Sequence, residues 1–131
     1  MKFHNKAITL KKIKCQNATI PDFLIIKTHE YLKNKNIILK KIIKYFKKNS
    51  FLIVRSSSSE EDTNLSSNAG KFESIPMVKN NEKEIDFAIA KVINSYKNYD
   101  KNSILFVQKM IQDCSFSGVI TTCNLSNQAP Y

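Results

Sequence analysis

Residues 56–69 run for fourteen positions without apolar periodicity and separate two segments that read as strands. A polar connection of that length in a small domain has to leave the sheet and return to it. Such loops are either functional or disordered. Before it comes the apolar run Phe51-Leu52-Ile53-Val54, which predicts a strand ending on Arg55. Arg55 is the single arginine of the chain, against twenty lysines. An ammonium serves wherever a positive charge is enough. A guanidinium adds a planar fork that grips two oxygens of a phosphate at once and stays charged. Local chemistry leaves two readings of Arg55 open: an oxyanion contact, or an ion pair with Glu60, Glu61 or Asp62.

Periodicity divides the rest of the chain into helices and strands. Ile8, Leu10 and Ile13 alternate with lysines in a short amphipathic helix over residues 7–14. Pro21 favours an extended backbone, and Phe23-Leu24-Ile25-Ile26 predicts a buried strand. Thr28 is placed to cap a helix through Leu32, with Glu30 in its first turn. Ile37, Ile38, Ile42, Ile43 and Phe46 give residues 36–48 a helical apolar face. Residues 71–78 read as a strand broken by Pro76. The strongest pattern is residues 81–98, where Ile85, Ala88, Ile89, Val92, Ile93 and Tyr96 fall at helical spacing behind Glu82 and Glu84. A strand over 103–111 and another over 116–122 follow, with Asp113-Cys114-Ser115 as a turn between them. The fold class is α+β.

At 131 residues and 42% hydrophobic content, the chain is one domain or part of one. The net charge of +10 invites a nucleic-acid reading. The lysines, however, are spread along the chain, most of them over the first hundred residues, and mostly ride on helical patterns, without the interleaved aromatics of a stacking platform. Lys11-Lys12, Lys40-Lys41 and Lys47-Lys48 read as solvated faces. Cys15, Cys114 and Cys123 have no zinc-ligand spacing and read as small buried hydrophobes. With no apolar signal core at the start and no run of membrane-spanning length, a cytoplasmic protein with reduced thiols is expected. His4 and His29 read as surface or satisfied imidazoles.

The chain has two glycines, Gly70 and Gly118. Gly118 reads as a bulge inside a strand. Gly70 closes the loop that Arg55 opens, where a close backbone approach to phosphate is useful. Arg55, the serine run, Gly70 and Ser74 together make a lid over polyphosphate. No His or Asp stands at a spacing that would activate a serine nucleophile.

These residues resemble known motifs. Val54-Arg55-Ser56-Ser57-Ser58-Ser59-Glu60-Glu61-Asp62 is similar to the VRSSAxxED motif of the pyruvate phosphate dikinase and phosphoenolpyruvate synthase family, and Ala69-Gly70-Lys71-Phe72-Glu73-Ser74 resembles its AGxxET continuation. Val107-Gln108-Lys109-Met110-Ile111 resembles VQKMV, and Ser117-Gly118-Val119-Ile120-Thr121-Thr122 resembles SGVMFT. Asn5-Lys6-Ala7 with Ile20-Pro21-Asp22-Phe23-Leu24-Ile25 is similar to the family's GGKAxxL…VPxGFxIT opening, with His4-Asn5 standing in place of its two glycines.

The resemblance implies an ATP-grasp nucleotide-binding domain, incomplete at 131 residues, with an opening segment over 1–50 and a phosphate-loop and adenine-strand segment over 51–131. It implies that Lys6 and Arg55 contact ATP phosphates. Gly70 and Ser74 would lie in the loop above the β- and γ-phosphates, and Gln108, Met110 and Ile111 would border the adenine. ATP with Mg²⁺ is the implied cofactor set. The parent enzyme would pass the β-phosphoryl group through a histidine to an acceptor, giving AMP and phosphate. Nothing like the family's SHAAIVAR motif occurs here, so the histidine and acceptor domains are expected elsewhere in the polypeptide and the chain alone is expected to be inactive. A member phosphorylating the amide of glutamine, a basic nucleic-acid-binding module and a non-catalytic interaction fragment are the alternatives.

Overall fold

The computed structural model describes residues 6–13, 16–57, 73–96 and 103–118. Its elements, in chain order, are α1 (Lys6–Lys12), β1 (Phe23–Lys27), α2 (Thr28–Lys33), α3 (Lys35–Tyr45), β2 (Phe51–Ser57), β3 (Ser74–Lys79), α4 (Glu82–Asn94) and β4 (Ile104–Lys109). The fold is α+β. Its four strands form one antiparallel sheet in the order β1-β4-β2-β3. The opening segment thus shares a sheet with the later one, because β1 pairs with β4.

Alternation along the strands sorts side chains onto two faces. Ile26, Leu105, Val107, Leu52, Val54 and Val78 point into the main core, against α2, α3 and α4. Ile104 and Phe106 point the other way, into a smaller cluster with Ala7 of α1, flanked by Phe23 and Ile25. β4 is central and covered on both faces, which is why Ile104-Leu105-Phe106-Val107 reads as an unbroken apolar run.

Local chemistry sets the ends of α4. The Asn81 side chain accepts the Glu84 N–H at 2.9 Å, and Glu82 and Glu84 sit in the first turn, beside the positive end of the helix dipole. The helix stops at Asn94, short of the expected 98. The Ser95 hydroxyl donates to the Val92 carbonyl, and Tyr96 turns its hydroxyl to the Ile104 carbonyl at 2.7 Å. Thr28 does not cap α2. It is the first helical residue, and its hydroxyl donates to the Ser103 carbonyl at 2.8 Å, tying α2 to the start of β4.

α3 ends at Tyr45 rather than Lys48, because Phe46 turns extended and buries its ring in the core. Ser50 donates its N–H and hydroxyl to the Lys47 carbonyl, and Asn80 gathers three carbonyls of this turn. The Asn80 amide nitrogen donates to the Ile43, Phe46 and Lys47 carbonyls at 3.0–3.2 Å. Asn80→Ala is expected to cost about 1–2 kcal/mol of stability, and Asn80→Asp, which turns an anion toward three carbonyls, to cost more. Urea unfolding of the two variants checks the order.

The network Tyr31–Asp86–Lys35 joins α2, α4 and α3. The Tyr31 hydroxyl donates to Asp86 Oδ1 at 2.6 Å, and Lys35 Nζ lies 2.7 Å from Oδ2. Burial pushes the Asp86 carboxyl up, but Lys35 and Tyr31 together hold it below its ordinary range. A carboxyl with a lowered folded-state pKa stabilises the fold above its unfolded pKa of about 3.9, and that contribution is lost as pH falls through the folded value. The urea midpoint is therefore expected to fall below about pH 4, and Asp86→Asn to remove part of that decline.

Other expectations are corrected. β3 runs through Pro76, which is tolerated because an edge strand has one side without a ladder to complete. The irregularity lies next to it, at Met77, with φ 57° and a register shift opposite between Leu52 and Val54. Residues 116–118 form no strand, and the Phe116 ring is 94% exposed with no core to join. Gly118 consequently sits in no bulge, and a Cβ there would meet nothing within 4 Å. Cys114 is exposed rather than buried. Cys15, Cys123 and residues 119–122 lie outside the described residues.

Candidate functional site

β2 carries Ile53, Arg55 and Ser57 on the face opposite the main core. The register sets these three against Gln108, Phe106 and Ile104 of β4. Arg55 is half-buried, and its guanidinium carbon lies over the Phe106 ring, 5.4 Å from the centroid. That is within the range of a cation–π contact. Phe106 is fully buried, and the edge of the Phe23 ring meets it at 6.1 Å and 72°. On the other side of β2, Ser74 of β3 is the direct cross-strand partner of Arg55 and is exposed. Among the described residues no carboxylate pairs with Arg55. Glu60, Glu61 and Asp62, offered as ion-pair partners, lie outside the described residues, and so does Gly70.

Lys6 reaches the same region through its neighbour. The Ala7 N–H donates to the buried Ser57 hydroxyl oxygen at 2.9 Å, which pins the start of α1 to the end of β2, two residues beyond Arg55. Lys6 itself is exposed at the first position of α1. The structure therefore brings Arg55, Ser74 and the start of α1 to one region of the sheet.

Gln108 shares the Arg55 face, and one end of its amide is engaged. Its amide nitrogen donates to the Pro21 carbonyl at 3.3 Å, and the residue is nearly buried. Met110 continues the β4 ladder, donating its N–H to the Phe51 carbonyl at 2.9 Å, while its sulfur accepts the Met77 N–H. Met110 and Ile111 line an open groove of about 520 Å³ with Thr19, Ile20, Pro21 and Asp22. Ile111 is 62% exposed there. From Met110 to the Phe106–Arg55 row is four residues along β4, roughly 13 Å at strand rise.

Comparison with protein-family models, with curated proteins and with solved structures gave no match. The site is read from its own chemistry. Among the described residues no group of three or more His, Cys, Asp or Glu is arranged to hold a metal ion. No helix among them is long and apolar enough to cross a membrane.

Sequence reasoning missed Phe106 and Ser57 as supports of the site. Alternation in Ile104-Leu105-Phe106-Val107 separates the two faces of β4, but which face meets Arg55 depends on pairing across some fifty residues of chain. No local signal encodes that register.

Proposed function

We propose that the Arg55 face binds the polyphosphate tail of ATP, and that the chain is the nucleotide-binding part of an ATP-grasp-type phosphotransferase. One observation supports this reading above others. The single guanidinium of the chain lies over a fully buried aromatic ring, unpaired with any described carboxylate and directly across the strand from an exposed serine hydroxyl. A ring beneath the guanidinium does not compete for its in-plane N–H donors, so two phosphate oxygens can take them side by side. Ser74 adds a hydroxyl donor, and Lys6 a point charge from α1. The groove at Met110 and Ile111, at the other end of β4, offers an apolar wall for the base, Met being adaptable to flat ligands.

Mg²⁺ would enter with the nucleotide, held largely by its phosphates, and no residue of the chain is assigned to it. The chain's own residues would bind and orient phosphate and offset its charge, the main work in phosphoryl transfer. In this reading a histidine on a further domain would carry the β-phosphoryl group to the acceptor, pyruvate or the amide of glutamine.

Saturating MgATP is expected to raise the melting temperature of the chain. At a hundred times Kd the stabilisation is about 2.7 kcal/mol, or roughly 5–15 °C for a domain of this size. Adenosine alone is expected to give a smaller shift. No shift with MgATP at millimolar concentration contradicts the reading.

A second reading has its own observation. α3 turns Lys40, Lys41, Lys44 and Tyr45 to solvent and carries no acidic residue. A polyanion held there would lie on the layer opposite Arg55. Binding of random DNA with a salt slope of several units, unaffected by changes at Arg55, supports that alternative.

A further inference from the structure

We infer that Phe106 is a positioning residue for the phosphate contact: its ring holds the Arg55 guanidinium ready for polyphosphate. This rests on the reading of Arg55 as a phosphate ligand. Nothing in the sequence resemblance assigns Phe106 a role.

The ring is fixed from several sides. Phe106 is on the central strand, fully buried, hydrogen-bonded through its neighbours to β1 and β2, and met edge-on by Phe23. Arg55 is its direct cross-strand partner, so the two side chains leave the same face of the sheet side by side, and the guanidinium carbon lies 5.4 Å from the ring centroid. A free arginine side chain has many rotamers, and part of that freedom is lost when the fork closes on an anion. A side chain already held over a fully buried ring has less freedom left to lose, and pre-organisation of this kind shows as affinity. The negative face of the ring attracts the cation without occupying an N–H. The one position at which a lysine-rich chain carries arginine is the position set over this ring. A lysine there would keep the charge and lose the planar fork.

The test is calorimetric titration of the intact chain with MgATP, with tripolyphosphate and with adenosine. Phe106→Leu keeps an apolar side chain and removes the ring. It is expected to weaken MgATP and tripolyphosphate about three- to thirtyfold and to leave adenosine unchanged. In an Arg55→Met background the same change is expected to have no further effect on MgATP. Replacing Phe106 with mono-, di- and trifluorinated phenylalanine keeps the shape of the ring while draining its face of negative charge. MgATP affinity is expected to fall stepwise along that series, which also covers the case of Phe106→Leu failing to fold. Wild-type affinity throughout the fluorinated series overturns the inference and leaves the ATP reading standing. An equal loss in the Arg55→Met background means the ring acts through packing, and likewise overturns it. A wild-type chain that binds neither MgATP nor tripolyphosphate removes the ATP reading and the inference together.

Discussion

Arg55→Lys is expected to weaken ATP binding about ten- to a hundredfold, the loss of one charge-assisted forked contact worth roughly 1.5–3 kcal/mol. The charge is conserved in this change, so a purely electrostatic attraction would barely register it. What disappears is the planar pair of donors and the broad cation over Phe106. The fold is expected to survive. Arg55 is half-buried on the face away from the main core, and its side chain bridges no described carboxylate. Unfolding free energy is expected to change by less than about 1 kcal/mol. Calorimetric titration with MgATP, alongside a urea melt, separates the two effects. Equal nucleotide affinity in wild type and variant contradicts the forked contact.

Leu105→Ala is expected to have the opposite profile, a large loss of stability without a selective effect on phosphate. Leu105 is fully buried in the central strand, set between Ile26 of β1 and Ser56 of β2, and it faces the helical layer. A buried leucine truncated to alanine costs about 2–5 kcal/mol, the spread reflecting how far the surroundings collapse into the cavity. A small domain holds only about 5–15 kcal/mol in all. The urea midpoint is expected to drop by a large fraction of its wild-type value. Ile111→Ala, at a residue 62% exposed, is expected to stay within about 0.5 kcal/mol. A Leu105→Ala variant as stable as wild type would mean that β4 is not the centre of the core.

Much of the architecture was legible because it is local. The i, i+3, i+4 spacing of Ile85, Ala88, Ile89 and Val92 marks the buried face of α4, and all four are core residues. Phe23-Leu24-Ile25-Ile26 and Ile104-Leu105-Phe106-Val107 announced β1 and β4 by apolar runs. Whatever depended on distant residues was not legible. Phe46 leaves the helical pattern because Asn80, thirty-four residues on, gathers the end of α3. Thr28 gives its hydroxyl to Ser103, seventy-five residues away, instead of capping its own helix. The order β1-β4-β2-β3 places the last strand between the first two, and no spacing in the chain encodes that. The same holds at the site. A lone arginine at a strand end marks Arg55, and the pairing that sets Phe106 beneath it and Ser74 beside it appears only in the folded sheet. Gln108 and Ile111 lie near the proposed base groove, and the bond from the Gln108 amide nitrogen to the Pro21 carbonyl, eighty-seven residues back, is hidden in the sequence.

In a crystal structure of the chain with Mg²⁺ and a non-hydrolysable ATP analogue, phosphate oxygens are expected in forked contact with the Arg55 guanidinium, with the Ser74 hydroxyl beside them and the base toward Met110 and Ile111. An Arg55 side chain turned from the nucleotide and locked onto Glu60, Glu61 or Asp62 would contradict it.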